Sequence, residues 1–267
     1  MMKISILGCG WLGLPLAKLL IDKGFDVKGS TTSATKMADL ENAGIDAFQV
    51  TLYPEHIDGN IVAFLEDSEV LIVDIPPKLR GNQNENFTQK IKTLMPFIEK
   101  AGVKHVIFVS SISVFSDDHG IVSDTTLPNP DSESGKQLFE SEMNLMQNPN
   151  FSTTVVRFGG LIGASRHPVK YLSGKVDVEN PDSPINLIHQ SDCIGIIEKI
   201  IENKAWNEIF NAVAPFHPTR KEYYTKMALQ LNLPVPEFAS DAKSAGKTID
   251  SAKIKTFLNY GFKMPEL

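Results

Sequence analysis

Three glycines near the start of the chain form the pattern G-x-G-x-x-G, at Gly8, Gly10 and Gly13. A short apolar run, Lys3–Leu7, precedes them, and an apolar-periodic segment follows. In such a strand–turn–helix unit the glycines permit a tight turn, close approach of phosphates to the backbone, and close packing of helix on strand. The helix N-terminus adds free N–H groups. The pattern predicts a site for a dinucleotide pyrophosphate, made by Gly8, Cys9, Gly10, Trp11, Leu12 and Gly13. A glycine-rich turn in another kind of α/β protein is the alternative.

The end of the predicted second strand, Val27–Thr31, indicates which dinucleotide the site would take. NAD sites of this type usually place an acidic residue there, on the ribose 2′-hydroxyl. Ser30, Thr31 and Thr32 occupy the position instead, with Lys36 nearby. Hydroxyl groups can donate hydrogen bonds to a 2′-phosphate and an ammonium group can neutralise it, although Thr32 could equally cap the next helix. The pattern favours NADP, with NAD as the less favoured cofactor.

Strand and helix signals alternate along the first two-thirds of the chain, which predicts βαβ units. The run Val106–Val109 is continuously apolar, as expected of a strand covered on both faces. We therefore predict the α/β class, with a Rossmann-type doubly wound parallel sheet. After Lys3–Leu7, the predicted strands are Val27–Thr31, Ala47–Val50, Val70–Asp74, His105–Ser110, Thr153–Phe158 and Ile209–Val213, and the predicted helices are Leu14–Lys23, Thr35–Asn42, Glu85–Ala101, Ser134–Met146, Asp192–Asn203 and Arg220–Leu231.

The rhythm changes after Phe158, where glycine-rich and Pro/Ser/Asn-rich stretches follow one another. Residues 1–160 are predicted to form an NAD(P)-binding domain, and 186–205 to return to it. The remainder of 161–267 is expected to form a small C-terminal substrate-binding lobe over the carboxyl edge of the sheet.

Composition limits the functional class. With 267 residues, 42% of them hydrophobic, the chain can bury a full core. A net charge of −6 and a pI near 5.6 argue against a nucleic-acid surface, and no stretch approaches the ~20 apolar residues of a membrane helix. The two cysteines, Cys9 and Cys193, have no metal-ligand spacing. We expect a cytoplasmic, reduced protein without a metal, in which Cys9 is a small packed residue rather than a reactive thiol.

With these elements placed, the chain resembles the extended short-chain dehydrogenase/reductases, the NAD-dependent epimerase/dehydratase group, over nearly its whole length. Residues 110–115 (SSISVF) are similar to that family's strand-end signature, Ser-Ser-x-x-Val-Tyr. Residues 157–163 (RFGGLIG) are similar to the segment that lines the nicotinamide, and 185–192 (INLIHQSD) to the "IHVDD" element. Asn211 and the run 218–220 match its late strand and the start of the next helix.

The resemblance implies roles for several of these residues. Ser111 would be the active-site hydroxyl that hydrogen-bonds the reacting oxygen of the substrate. Ser110 would border the cofactor while satisfying backbone groups. The segment implied to line the nicotinamide is Phe158, Gly159 and Gly160, and the residues implied to contact adenine and ribose are Ile75, Pro76 and Pro77.

The catalytic pair of the family, Tyr-x-x-x-Lys, places both side chains on one helix face, one turn apart. The lysine and the cofactor lower the tyrosine pKa from ~10, so that the phenol can exchange a proton near neutral pH. Lys136 fits the lysine by its distance from Ser111, and the resemblance gives it the nicotinamide ribose; an ordinary solvated lysine is the alternative. Ser132 stands in place of the tyrosine, and its hydroxyl is too weak an acid and too short to replace it.

The sequence thus predicts an NADP-dependent epimerase- or reductase-like protein that acts on a carbonyl or secondary alcohol, for example a sugar-like one. Tyr171 is one candidate for the missing proton donor, and Arg166 with His167 for contact with an anionic substrate; a packing role and an ordinary surface loop are the respective alternatives. The dehydratase branch carries an Asp-Glu pair where this chain has Ile112 and Ser113, so dehydration is not expected. A catalytically silent NADP-binding sensor or scaffold is the second hypothesis. Family members often dimerise, so a homodimer is a further expectation.

Overall fold

The computed structural model describes residues 1–77, 85–240 and 244–266. Strands and helices alternate within these ranges, as the sequence pattern predicts. The strands are β1 (Lys3–Leu7), β2 (Asp26–Thr31), β3 (Asp46–Gln49), β4 (Thr51–Leu52), β5 (Ile57–Asp58), β6 (Val70–Val73), β7 (His105–Ser111), β8 (Ile121–Val122), β9 (Ser152–Phe158), β10 (Gly160–Ile162), β11 (Leu187–His189), β12 (Ile209–Ala212) and β13 (Thr248–Ile249). The helices are α1 (Gly13–Asp22), α2 (Met37–Asn42), α3 (Ile61–Leu65), α4 (Phe87–Ala101), α5 (Glu133–Met146), α6 (Val169–Leu172), α7 (Gln190–Glu202), α8 (Arg220–Gln230) and α9 (Ala252–Leu258).

The central sheet has seven strands in the order β12-β9-β7-β6-β1-β2-β3. Every pairing within it is parallel. The chain starts in the middle of the sheet, extends through β2 and β3 to one edge, and then builds the other half from β6 outward. This arrangement confirms the predicted doubly wound fold. A crevice forms at the carboxyl ends of the strands where the direction of winding reverses, between β1 and β6, and ligands bind there in such sheets.

Two apolar clusters cover the two faces of the sheet. Ile4 and Ile6 of β1 point to one face, where α1, α7 and α9 pack, whereas Leu7 belongs to the cluster on the other face, under α3, α4 and α5. Residues of β7 divide in the same way, with Ile107 on the first face and Phe108 on the second. Alternate side chains of a strand point to opposite faces, so apolar runs such as Val106–Val109 supply both clusters. The crevice therefore sits on a rigid, doubly covered sheet.

The structure also contains elements too short for sequence periodicity to predict, among them α3. The helix ends against a buried lysine on β2: Lys28 donates from Nζ to the carbonyl oxygens of Ala63 at 2.6 Å and Glu66 at 2.9 Å. An ammonium group stabilises carbonyls that a helix end leaves without partners. The short helix is thereby attached to the sheet.

The C-terminal third is divided between the sheet and a small lobe. β10 and β11 form a separate parallel pair, and α6 and α8 pack around a third apolar cluster that includes Ile162, Val169 and Tyr223. The predicted return of 186–205 corresponds to α7, and β12 returns as well, as the edge strand beside β9. The boundary between 1–160 and 161–267 stays a prediction. No helix in the described ranges has the length and apolar character needed to cross a membrane.

Candidate cofactor and substrate site

The loop between β1 and α1 gives each of its three glycines a different environment. Gly8 has φ +110°, and a Cβ there would approach the carbonyl oxygen of Asp74 to 2.2 Å. A Cβ on Gly13 would approach the carbonyl oxygen of Gly8 to 2.2 Å. Around Gly10, by contrast, a Cβ would meet nothing within 4 Å. The first and third glycines are required by close backbone contacts, and the second leaves open space that a phosphate group can occupy.

The same loop holds free hydrogen-bond donors beside that space. The N–H groups of Gly8 and Cys9 bind Ser30, at 3.0 Å to Oγ and 2.7 Å to the carbonyl oxygen. The N–H groups of Trp11 and Leu12 donate to no acceptor within the described ranges. They precede the N-terminus of α1, the positive end of the helix dipole. These donors and the space above Gly10 fit a pyrophosphate.

A cavity of about 610 Å³ opens beside the loop, along the carboxyl ends of β1, β2, β6 and β7. We call it the larger cavity, to distinguish it from a second cavity of about 300 Å³ that shares Ser111 with it. Its volume is within the range of ligand pockets, ~300–1,000 Å³. It brings together most of the predicted cofactor residues and the predicted active-site serine: Gly8, Cys9, Gly10, Trp11, Leu12, Ser30, Thr31, Thr32, Lys36, Ile75, Pro76, Pro77, Ser110 and Ser111.

Five predicted cofactor residues lie outside this lining: Gly13, Lys136, Phe158, Gly159 and Gly160. Gly13 is beneath the loop, and its N–H donates to the carboxylate of Asp74. Phe158 is buried, and Gly159 and Gly160 pack against the segment that leads into β11. The predicted nicotinamide-lining segment reaches the larger cavity through its next residue, Leu161.

Lys136 is exposed and does not line the larger cavity. Ser132 is the N-cap of α5, where its Oγ accepts from the N–H of Gly135 at 3.1 Å. The residue of α5 that does line the cavity is Leu138, and Ser134 precedes it by one turn. The side of α5 nearest the cavity therefore carries a serine and a leucine at the spacing of the family's tyrosine and lysine.

Hydroxyl and ammonium groups occupy the β2 end of the larger cavity. Ser30 is buried and engaged with the loop, and Thr31 accepts from the N–H of Ser33 at 3.2 Å. Thr32 and Lys36 are exposed, and Lys36 forms no ion pair with any residue that the structure describes. Of the four residues predicted to contact a 2′-phosphate, Thr32 and Lys36 are thus the two whose side chains are exposed.

Two titratable groups at the glycine loop have strongly raised pKa values. Burial raises the pKa of the Asp74 carboxyl to about 8, although the hydrogen bond from the Gly13 N–H opposes the shift. Burial also raises the pKa of the Cys9 thiol to about 12, so the thiol stays protonated. Its Sγ lies 2.7 Å from where a Cβ on Gly29 would be. This environment matches a packed cysteine rather than a reactive one.

Beneath Ser110 lies a buried ion pair that sequence reasoning missed. Ser110 donates from Oγ to Glu142 Oε1 at 2.5 Å. Arg157 donates to both oxygens of the same carboxylate, with Nη2 to Oε2 at 2.6 Å and Nε to Oε1 at 3.1 Å. Removing one partner of such a pair typically costs about 3–5 kcal/mol, because the other charge is left buried. The pair holds α5 against β7 and β9, and it uses the Ser110 hydroxyl.

Ser111 differs from Ser110 in having a hydroxyl proton available. Its Oγ accepts from the N–H of Ser113 at 3.2 Å, and the O–H finds no acceptor among the residues described. Ser111 also borders a second cavity of about 300 Å³, which we call the smaller cavity. Ser111 therefore lines both cavities. Its hydroxyl group can donate a hydrogen bond to a ligand in the smaller cavity at the point where that ligand faces a second ligand in the larger cavity.

Arg166 and Trp11 form part of the rim of the larger cavity. The Arg166 guanidinium lies 5.3 Å from the Trp11 ring centroid, and Trp11 Nε1 donates to Ser165 Oγ at 3.2 Å. Arg166 therefore contributes a cation to the cavity, as one of its two predicted roles requires. Tyr171, the other loop candidate, is 78% exposed and lines neither cavity.

Comparison with known proteins places this geometry in a family. The family model described as NAD(P)H-binding matches residues 8–185, about two-thirds of the chain, from the first glycine of the loop onward. The chain belongs to this NAD(P)H-binding family. Protein YeeZ of Escherichia coli strain K12 is 34% identical over 268 residues, which cover 100% of this chain and 97% of YeeZ.

Solved structures share the fold of this NAD(P)H-binding protein. A protein proposed to be an NAD-dependent epimerase/dehydratase, from Methylobacillus flagellatus, superposes with a TM-score of 0.82 at 22% identity, covering 99% of this chain and 94% of the other. The UDP-glucose 4-epimerase of Thermotoga maritima, solved with UDP-glucose, gives a TM-score of 0.79 at 17% identity, with 98% and 94% covered. The glycine loop lies within the residues that the family model matches, and the fold is the one seen in these solved structures.

Proposed function

We propose that the protein is an NADP-dependent, epimerase- or reductase-like oxidoreductase. Its substrate in this proposal is a small molecule with a carbonyl or secondary alcohol group, for example a sugar-like one. The observation that carries the proposal is the position of Ser111, on the wall shared by the two cavities. The nicotinamide, when bound, supplies or accepts the hydride. A substrate in the smaller cavity would meet it beside the Ser111 hydroxyl.

In this proposal Ser111 polarises the reacting oxygen. Its O–H donates a hydrogen bond to the substrate oxygen, which becomes more negative as a carbonyl is reduced. The N–H of Ser113 donates to Ser111 Oγ at 3.2 Å, which orients the hydroxyl and makes it a better donor. Ser110 cannot share this work, because its hydroxyl already donates to Glu142. The proton that completes the alcohol is assigned to no side chain.

The preference for NADP rests on the β2 end of the larger cavity. Thr32 and Lys36 are exposed there and offer a hydroxyl group and an ammonium group to a 2′-phosphate, and Lys36 has no ion-pair partner in the described ranges. The acidic residue that an NAD ribose usually meets at this position is replaced by hydroxyl side chains. We also propose a cytoplasmic location, because both cysteines are buried and unpaired. We further propose a homodimer, because members of the resembled family often dimerise.

A second candidate function is a catalytically silent NADP-binding sensor or scaffold. The observation that favours it is the cavity side of α5, where Ser134 and Leu138 stand one turn apart. Neither side chain can exchange a proton near neutral pH. Such a protein would bind the dinucleotide with the same loop and respond through a change in shape or partner.

Replacement of Ser111 by Ala tests the proposal. We expect S111A to bind NADPH as the wild-type protein does, within about twofold, and to lose about 100-fold or more in kcat, the usual effect of removing one oxyanion donor. The measurements are NADPH and NADH fluorescence titrations and NADPH oxidation with a panel of carbonyl compounds. Ser152 lies at the opposite end of the sheet, so S152A is the matched control.

Three outcomes separate the hypotheses. Turnover that falls in S111A and not in S152A supports the oxidoreductase. Tight NADPH binding with no turnover of any carbonyl in the panel supports the sensor. Failure to bind either dinucleotide rejects both.

A further inference from the structure

The smaller cavity shares Ser111 with the larger cavity, and no residue of the glycine loop lines it. Its walls come from the turn after β7, the segment before β11, the start of α8 and the segment before β13. The last two walls lie in the C-terminal third, where the sequence predicts a substrate lobe. The side chains that decide its chemistry are Ser111, Asp117, Arg220, Tyr224 and Lys247.

Arg220 contributes a guanidinium group that has no acidic partner among the described residues. It is the first residue of α8, and its charge lies 5.8 Å from the Tyr224 ring centroid. Its Nε is buried and has no hydrogen-bond acceptor, and no carboxylate in the described ranges lies within ion-pair distance of it. A buried N–H donor without a partner is costly, and a carboxylate ligand would satisfy it with the fork geometry that guanidinium groups favour.

Lys247 contributes a second cation, and Asp117 balances it. Lys247 is 8% exposed; its Nζ donates to the carbonyl oxygen of Phe115 and lies 3.0 Å from Asp117 Oδ1. Asp117 is the one carboxylate among the residues known to line the smaller cavity. Two cations against one carboxylate leave a single positive charge, located at Arg220. That charge matches a monoanion better than a diphosphate.

Resting on the proposed function, we propose that the smaller cavity binds a substrate with a single carboxylate, such as a small 2-oxo or 2-hydroxy acid. Arg220 holds the carboxylate, and the neighbouring oxygen reaches Ser111. The volume, about 300 Å³, is at the lower end of ligand pockets. It is about half that of the larger cavity, a size that suits a small acid better than a nucleotide sugar with its diphosphate.

The Arg220 Nε–H gives a direct readout, because its NMR resonance reports on the bond that the proposal adds. The probes are pyruvate, 2-oxobutyrate and their primary amides, titrated into the full-length protein with and without saturating NADPH. We expect the acids to shift this resonance and the amides to leave it unchanged. R220M should weaken acid binding at least about tenfold, as loss of a charge-assisted hydrogen bond does.

Two further variants distinguish a binding role from a structural one. D117N removes the carboxylate beside Lys247 and should tighten acid binding, a gain that misfolding cannot produce. K221M removes an equal charge from the next residue of α8, which lies outside the smaller cavity, and should change nothing. The assignment would be overturned if acids and amides bind equally well, or if R220M binds the acids as the wild-type protein does. It would also be overturned if inorganic phosphate binds the site more tightly than the acids do. NADPH binding measured on the same samples shows separately whether the proposed function fails.

Discussion

Asp74 introduces an acid–base property beside the glycine loop that we propose binds the dinucleotide. Its carboxyl group accepts a hydrogen bond from the N–H of Gly13, its backbone carbonyl lies against Gly8, and burial raises the pKa of the carboxyl group to about 8. The unfolded chain releases this proton near the ordinary value of about 3.9. Between these two values the folded protein holds one proton more than the unfolded chain. Stability from this residue is therefore fully present below about pH 4 and is lost as the pH rises towards 8.

Replacement of Asp74 by Asn should remove that dependence. In urea unfolding of the cofactor-free protein between pH 5 and 8, the wild-type free energy of unfolding should fall relative to D74N, by at most about 1.4 kcal/mol per pH unit. D22N, at an exposed aspartate on the last turn of α1, is the control and should run parallel to the wild type. Parallel curves for D74N and the wild type would show that Asp74 ionises with its ordinary pKa in the folded protein.

Two exposed lysines, on different elements, are predicted from the sequence to contact different parts of the cofactor: Lys36 the 2′-phosphate and Lys136 the nicotinamide ribose. Lys36 ends a 3₁₀ turn after β2 and lines the larger cavity, whereas Lys136 lies in the first turn of α5, outside it. K36A should weaken NADPH binding about tenfold and leave NADH within about twofold, because it removes one charge-assisted contact to the 2′-phosphate. K136A should leave both unchanged. Fluorescence titration with both dinucleotides measures these affinities. A greater loss of affinity in K136A than in K36A would instead support the contact between Lys136 and the nicotinamide ribose.

The start of α5 also shows what the sequence could predict about an element and what it could not. The helix itself, the N-terminal glycine loop and the doubly wound parallel sheet follow from periodicity and motif spacing. The phase of α5 does not, because it depends on which side chains the neighbouring strands bury. Glu142 faces inward, where it binds Arg157, and Leu138 faces the larger cavity. With these two side chains inside, Lys136 faces solvent. A family spacing counted along the chain cannot register that rotation.

Tertiary neighbours explain the other gaps in the sequence-based prediction. Asp74 was visible at a strand end, yet its raised pKa depends on burial by the glycine loop. Arg220 and Lys247 lie 27 positions apart in the sequence and line one cavity only because the start of α8 and the segment before β13 both border it. A helix-starting arginine has no periodic signal that distinguishes it from a surface residue. Its missing partner becomes evident only in three dimensions.

On the scale of the whole molecule, the bound cofactor should stabilise the folded state. A ligand that binds only the folded state stabilises it by about 2.7 kcal/mol at 100 times its Kd. NADPH should therefore raise the melting temperature of the wild-type protein, measured by calorimetry. G10V should keep the cofactor-free melting temperature, since a Cβ there meets nothing within 4 Å, and should lose the shift because its side chain fills the phosphate space.

The contrast variant is G13A, whose Cβ would approach the Gly8 carbonyl oxygen to 2.2 Å. It should lower the melting temperature even without cofactor. A normal NADPH-induced shift in G10V would show that the pyrophosphate does not use this loop.

The position of β12 has a consequence for biosynthesis. The strand beside it, β9, is complete at residue 158, but β12 emerges only at residues 209–212. During translation the sheet therefore presents the unpaired backbone of β9 for the whole time the ribosome adds the intervening fifty residues. Unpaired edges recruit other strands. A nascent or prematurely terminated chain of this protein is exposed to that hazard, and synthesis of the last third closes it.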